Sequence, residues 1–198
     1  MCQFIETMSL SNGVVEYVES HQARLDRTMH HFYPAYRIDL LDVLSSVDLP
    51  KDGVYRLTVA YAEKVVSIQW VPYQIRDIER FVCVEAGEIM YDFKYRNRDD
   101  FQRISALLGA NEEAVIVQNG MVTDTTYTNL VFYRDGVWWT PKQCLLKGTQ
   151  RQRLLDDGVI HETDIPVASL SHYTHFRIIN AMMGWESAPM YTIDLIRV

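Results

Sequence analysis

Cysteine is scarce in this chain of 198 residues: Cys2, Cys83 and Cys144 stand far apart and form no C-x-x-C pair. That argues against a disulfide framework and gives no sign of a structural zinc site. Nor is a metal expected elsewhere. His172 and His175 are three residues apart and His30 and His31 are adjacent, but no carboxylate or cysteine stands beside them at ligand spacing. Long apolar runs are absent too; about 18 consecutive residues would be needed for a helix to span a bilayer. The N-terminus, MCQFIETMSL, lacks the basic and apolar stretches of a secretory signal, so a reducing, cytoplasmic home is the expectation. Positive charge is in deficit, with a net charge of −7. Such a chain has no basic surface to neutralise a nucleic-acid backbone, although local dipoles and a few arginines can still hold a small anion.

What is present is an ordinary globular composition, 48% apolar and 23% charged, long enough for one or two small domains with a real core. Gln3 to Leu10 alternates, Ser11-Asn12-Gly13 turns, and Val14 to Val18 is apolar again, which predicts a hairpin. Ser20 is placed to cap a helix running to about Phe32, stopped by Pro34, and Tyr36 to Leu44 predicts a second helix. Val54 to Tyr61 and Lys64 to Pro72 predict another hairpin. The pattern pauses at Tyr73 to Asp77, which suggests domains over 1–75 and 76–198, with Lys94 in the second.

Beyond that pause, strands are predicted at Arg80 to Glu85, Ile89 to Tyr95, Val115 to Gln118, Thr128 to Tyr133 and Val137 to Thr140. Helices are predicted from Asp99 to Leu108 and between Gly148 and Gly158. A short helix near Val167 to Leu170 and strands near His175 to Ala181 and Met190 complete the chain. The order is mixed α+β with hairpins, which is unlike a doubly wound parallel sheet.

Three places carry hints of chemistry. Gly148-Thr149-Gln150 opens a helix whose N–H groups suit a phosphate, or is simply a helix start. Lys94 lies among Tyr91, Phe93 and Tyr95; a partly buried lysine becomes a nucleophile, whereas one at a strand edge merely faces solvent. Asp124 precedes a threonine-rich stretch and reads as a turn carboxylate or as something more.

Four segments, taken in order, carry a resemblance. They are E-T-M-S-L-S-N-G with H-Q-A-R-L (6–25), F-K-Y-R-N-R (93–98), V-T-D-T-T-Y-T-N-L-V-F with W-T-P-K-Q-C-L-L-K-G-T-Q-R-Q (122–152), and I-N-A-M-M-G (179–184). The chain resembles the fold-type IV enzymes that use pyridoxal 5′-phosphate (PLP), the class IV aminotransferase family, which includes branched-chain and D-amino acid aminotransferases and aminodeoxychorismate lyase.

The resemblance implies a two-domain α+β fold, a small sandwich-like α/β N-terminal domain beside a barrel-like β domain, with PLP in the cleft between them and a homodimer as the working form. It implies that Lys94 forms the Schiff base with PLP and that Arg24 holds the phosphate, where a guanidinium fork suits the oxyanion. Thr149 and Gln150 are implied to bind the same phosphate through backbone N–H groups, with Asn180 and Ala181 as a second phosphate segment and Asn129 also in the cofactor set. Asp124 matches the acidic residue facing the pyridine nitrogen, where an opposite charge keeps that nitrogen protonated.

Two departures stand out. The family usually has glutamate where this chain has the shorter Asp124, and usually a further strand-rich stretch before the E-T segment, so the chain reads as N-terminally shortened. The K-x-x-N-R form of the lysine motif and the run Asn180-Ala181-Met182-Met183 resemble the lyase, and Thr7 aligns with a lyase pocket threonine able to pass a proton. The implied activity is formation of 4-aminobenzoate and pyruvate from 4-amino-4-deoxychorismate, a step of folate synthesis. The alternative is an aminotransferase acting on a small amino acid with a 2-oxo acid acceptor.

Overall fold

The computed structural model describes residues 3–198; Cys2 lies outside the described residues. The chain divides into two compact units, one running to Ile75 and including Phe93–Asn97, the other formed by Arg76–Asp92 and Arg98–Val198. Lys94 therefore belongs to the first unit, whereas the sequence reading assigned it to the second.

In the first unit, β1 (Phe4–Ser11) turns through Asn12 and Gly13, both at positive φ, into β2 (Val14–Val15). Helices α1 (Val18–Phe32) and α2 (Leu40–Ser45) follow, then β3 (Val54–Tyr61) and β4 (Val65–Pro72). The strands form an antiparallel sheet in the order β2-β1-β3-β4. One face of β1 places Phe4, Met8 and Leu10 in a core with Leu25 and Met29 of α1, Leu40 and Leu44 of α2, and Leu57 and Val59 of β3. Alternation along the strand and three-to-four spacing along the helix bring these residues together.

Two helix boundaries differ from the expectation. The first helix is not capped by Ser20: it begins after Tyr17, in the left-handed region, and the Ser20 N–H bonds to the Tyr17 carbonyl. The second starts at Leu40 rather than Tyr36, because the extended Asp39 accepts hydrogen bonds from the Leu41 and Asp42 N–H groups and sets the first turn there.

The second unit holds β5 (Arg80–Glu85), α3 (Asp99–Ser105), β6 (Glu112–Gln118), β7 (Met121–Val122), β8 (Asn129–Arg134) and β9 (Val137–Pro141). It continues with α4 (Thr149–Asp156), β10 (His161–Thr163), a 3₁₀ turn at Val167–His172, β11 (His175–Ile179), β12 (Met190–Thr192) and β13 (Ile196–Arg197). Its two sheets run β10-β9-β8-β11-β12 and β13-β5-β6-β7. They share one core, with Phe81, Val115 and Val122 from one sheet, Leu130, Phe132, Phe176 and Ile178 from the other, and Leu154 from α4. The resemblance implied a mixed α+β fold with a barrel-like domain, and the sheets here form a half-barrel.

The strand predicted at Ile89 to Tyr95 does not form; only an isolated bridge joins Tyr95 to Phe4. The Tyr95 N–H folds back onto the Phe93 carbonyl (2.8 Å), a tight turn that removes a donor the ladder would need. No helix among the described residues is long and apolar enough to cross a membrane.

Candidate active site

In the first unit the segment that carries Lys94 is positioned by backbone bonds. The Lys94 carbonyl accepts from the Ile5 N–H (3.0 Å) and the Gln3 carbonyl accepts from the Arg96 N–H (2.8 Å), so the lysine segment lies along the start of β1. Lys94 is half-buried, as is Thr7, which stands on the face of β1 opposite Glu6 and pairs in register with Thr58.

Glu6 was not singled out from the sequence. It sits between Phe4 and Met8 on the core face of β1 and is fully buried. An isolated carboxylate there would be prohibitively costly. Arg24 answers it with a fork, Nε to Oε1 at 2.9 Å and NH2 to Oε2 at 2.5 Å, and His21, one helical turn earlier, donates Nδ1–H to Oε2 at 2.6 Å. Burial alone would raise the Glu6 pKa, but the Arg24 cation and the His21 and Arg24 hydrogen bonds outweigh it and hold the group down at about 2. Burial lowers the His21 pKa against the pull of Glu6. The sequence signal was available: a charged residue on an apolar stripe, opposite a helix carrying H-x-x-R.

In the second unit the expected residues gather at one end of the sheet. Asp124 and Asn129 form an isolated antiparallel bridge at the mouth of a buried loop. Asn129 donates from Nδ2 to Asp124 Oδ1 and to the Leu146 carbonyl, both at 2.8 Å, while the Leu146 N–H donates to Asp124 Oδ2 at 3.0 Å. Asn129 lies opposite Ile179 in the ladder, which puts Asn180 and Ala181 at the same end of the sheet as the β8 start. There the Asn180 side chain accepts from the Met182 N–H and closes a local turn.

Gly148 precedes α4, whose N-terminus has no side-chain cap, and Thr149 and Gln150 are buried in its first turn. Arg151, also unflagged by the sequence reading, is almost fully buried and ties α4 to the Pro141 carbonyl (2.9 Å) and Glu162 (2.6 Å).

Desolvation pushes the Asp124 pKa up to about 6, against the opposing hydrogen bonds from Leu146 and Asn129 and the Arg151 cation. An acid with a raised folded-state pKa contributes stability that is present below its ordinary value and lost as pH rises through the folded value. The unfolding free energy of cofactor-free wild type, minus that of Asp124→Asn, is therefore expected to fall by about 2 kcal/mol from pH 4 to 7. Glu6 acts in the opposite sense, losing its stabilisation as pH falls from about 4.5 toward 2. Urea melts across pH check both, and a flat difference profile for Asp124→Asn would refute the burial argument.

The chain matches the family Amino-transferase class IV over residues 3–188. It belongs to that family. An uncharacterised protein of Haemophilus influenzae is 32% identical over 187 residues, 93% of this chain and 100% of that one. Among solved structures, a candidate 4-amino-4-deoxychorismate lyase of Haemophilus somnus superposes with a TM-score of 0.82 at 28% identity, covering 92% of this chain and 97% of that one. The 4-amino-4-deoxychorismate lyase of Pseudomonas aeruginosa shares the fold at a TM-score of 0.70 and 22% identity, over 92% of this chain and 80% of that one.

The donor set of this class IV chain fits a phosphorylated pyridine aldehyde. A helix N-terminus without a side-chain cap suits a phosphate. A buried carboxylate with a raised pKa suits a ring that presents a cation to it. A half-buried lysine, Lys94, would supply the amine for the aldehyde. In the first unit the orientation of Arg24 is set by Glu6, which takes two of the five guanidinium N–H donors on one edge.

Proposed function

We propose that this class IV protein is a PLP-dependent lyase that converts 4-amino-4-deoxychorismate to 4-aminobenzoate and pyruvate. The observation that carries the cofactor reading is the buried Asp124, anchored by Asn129 and Leu146 beside the start of α4. The cofactor is pyridoxal 5′-phosphate. When bound, it supplies an electron-withdrawing ring conjugated to the carbon that bears the substrate amine.

The chain's own residues do the rest. Lys94 Nζ would hold the cofactor and would take up the proton from the amine-bearing carbon of the substrate. Asp124 keeps the proton on the pyridine nitrogen. Arg24, the N–H groups of Thr149 and Gln150, and the Asn180-Ala181 segment hold the phosphate, and Asn129 holds Asp124. Thr7 passes a proton to the departing enolpyruvyl group. The K-x-x-N-R form of the lysine segment and the similarity to the Haemophilus somnus protein support the lyase over the aminotransferase alternative. On this reading the substrate is a small amine, and the chain works as a cytoplasmic homodimer.

The test is release of 4-aminobenzoate by cofactor-loaded protein given enzymatically generated 4-amino-4-deoxychorismate. Release is the expected result. No release, together with conversion of the bound cofactor to its amine form by a small amino acid, would replace the lyase with the aminotransferase.

A further inference from the structure

The loop from Thr123 to Thr128 is almost entirely buried although five of its six residues are threonine or aspartate. Buried loops are rare because their polar groups must all find partners. Here Thr125 and Thr128 close a tight turn on each other: the Thr125 N–H donates to the Thr128 carbonyl (2.9 Å), the Thr128 N–H to Thr125 Oγ1 (2.9 Å), and the two hydroxyls meet at 2.7 Å. Thr126 and Tyr127 are then the tip, and Asp124 and Asn129 are the two ends.

The tip is gripped by two charges of opposite sign. Glu113 Oε1, on β6, accepts from both the Thr126 N–H (3.0 Å) and the Thr126 hydroxyl (2.6 Å), and Arg76 NH1 holds the other carboxylate oxygen at 2.7 Å. From the other direction, Arg98 NH2 donates to the Thr126 carbonyl. Arg98 is itself fixed: its guanidinium lies 4.5 Å over the Phe101 ring, and NH1 donates to the Tyr91 hydroxyl at 3.1 Å. An anion thus holds the positive end of the peptide group before Thr126 and a cation the negative end of the one after it, and charge-assisted hydrogen bonds of this kind are about twice as strong as neutral ones.

We propose that Arg98 and Glu113 are positioning residues that set the height of the Asp124 carboxylate against the pyridine nitrogen of the cofactor. The inference rests on the PLP reading above. Its physical motive is the shortness of aspartate. A carboxylate on a side chain one methylene shorter has less freedom to reach its partner, so the backbone that carries it must be placed and held. Arg98 also marks where the chain re-enters the second unit, four residues after Lys94. The same short segment therefore carries the reactive amine and grips the loop of the ring-facing carboxylate.

The test uses cofactor-loaded full-length protein with a ¹⁵N-labelled pyridine ring, titrated with pH by NMR. Arg98→Met keeps apolar packing over Phe101 but has no donor; Arg98→Lys restores a cation and a donor without the fork. In wild type the ring nitrogen is expected to hold the protonated position across the neutral range. In Arg98→Met the signal should move toward the unprotonated position at neutral pH, with Arg98→Lys between the two. Glu113→Gln, which retains an acceptor for the Thr126 N–H, should shift it in the same direction by less, and serves if Arg98→Met does not fold. A folded Arg98→Met, or Glu113→Gln in its place, with the wild-type ring signal throughout would overturn the positioning role. A wild type that binds no cofactor would instead overturn the PLP reading itself.

Discussion

Lys94→Ala is expected to abolish turnover and covalent retention of the cofactor while leaving the fold in place. The backbone bond from the Ile5 N–H to the Lys94 carbonyl does not depend on the side chain, and the residue is only half-buried, so little packing is lost. What is lost is the amine. Removing a general base alone costs about 10²–10⁴-fold in rate, and on the proposed reading the same atom is also the nucleophile. The readout is borohydride reduction followed by intact mass and peptide mapping. Wild type should gain the mass of one reduced cofactor on the peptide containing Lys94, and the variant none. A stable adduct mapped to a different lysine would refute the assignment outright.

Gly148→Ala should be the most damaging glycine-to-alanine change in the second unit. A Cβ built on Gly148 would lie 2.1 Å from Asn129 Oδ1 and 3.3 Å from its Cγ, well inside van der Waals contact. A side-chain tip can often swing aside, but this one is tethered, since Asn129 Nδ2 donates to Asp124 and to the Leu146 carbonyl. Relief comes only if the first turn of α4 shifts or Asn129 releases Asp124. Overpacking together with a lost buried hydrogen bond is expected to cost on the order of 2–4 kcal/mol. Either relief also disturbs the proposed phosphate cradle, so cofactor affinity should fall in a spectral titration. In an Asn129→Ala background the same glycine change should cost far less, because the clashing oxygen is gone. Urea midpoints that add independently across the two substitutions would show that the steric coupling is not what makes this position glycine.

The pattern of agreement with the sequence follows from the range of the forces involved. Strands β1, β3 and β4 and helices α1 and α4 were legible because alternation, helical spacing and the breakers Gly13, Pro34 and Gly148 act within a few residues. The proposed cofactor set, Lys94, Arg24, Asp124, Asn129, Thr149, Gln150, Asn180 and Ala181, follows from a family resemblance, which preserves order along the chain. Neither route could read that Ile89 to Tyr95, expected as a strand, forms none. The aromatic and apolar content of that stretch favours a strand, but the turn at Phe93–Tyr95 and the pairing of its backbone with the start of β1 override it.

By itself the sequence determined most of the element types and the antiparallel hairpins of the first unit, because each depends on neighbours close in the chain. Only the tertiary structure decided that Glu6 turns inward to hold Arg24, 18 residues away, and that Arg98 reaches Thr126 across 28. It also decided that Lys94 joins the first unit and that Gly148 leaves room for Asn129. These are long-range contacts. Register and close packing set them after the elements form, and a buried charge takes whichever partner the finished fold brings within reach.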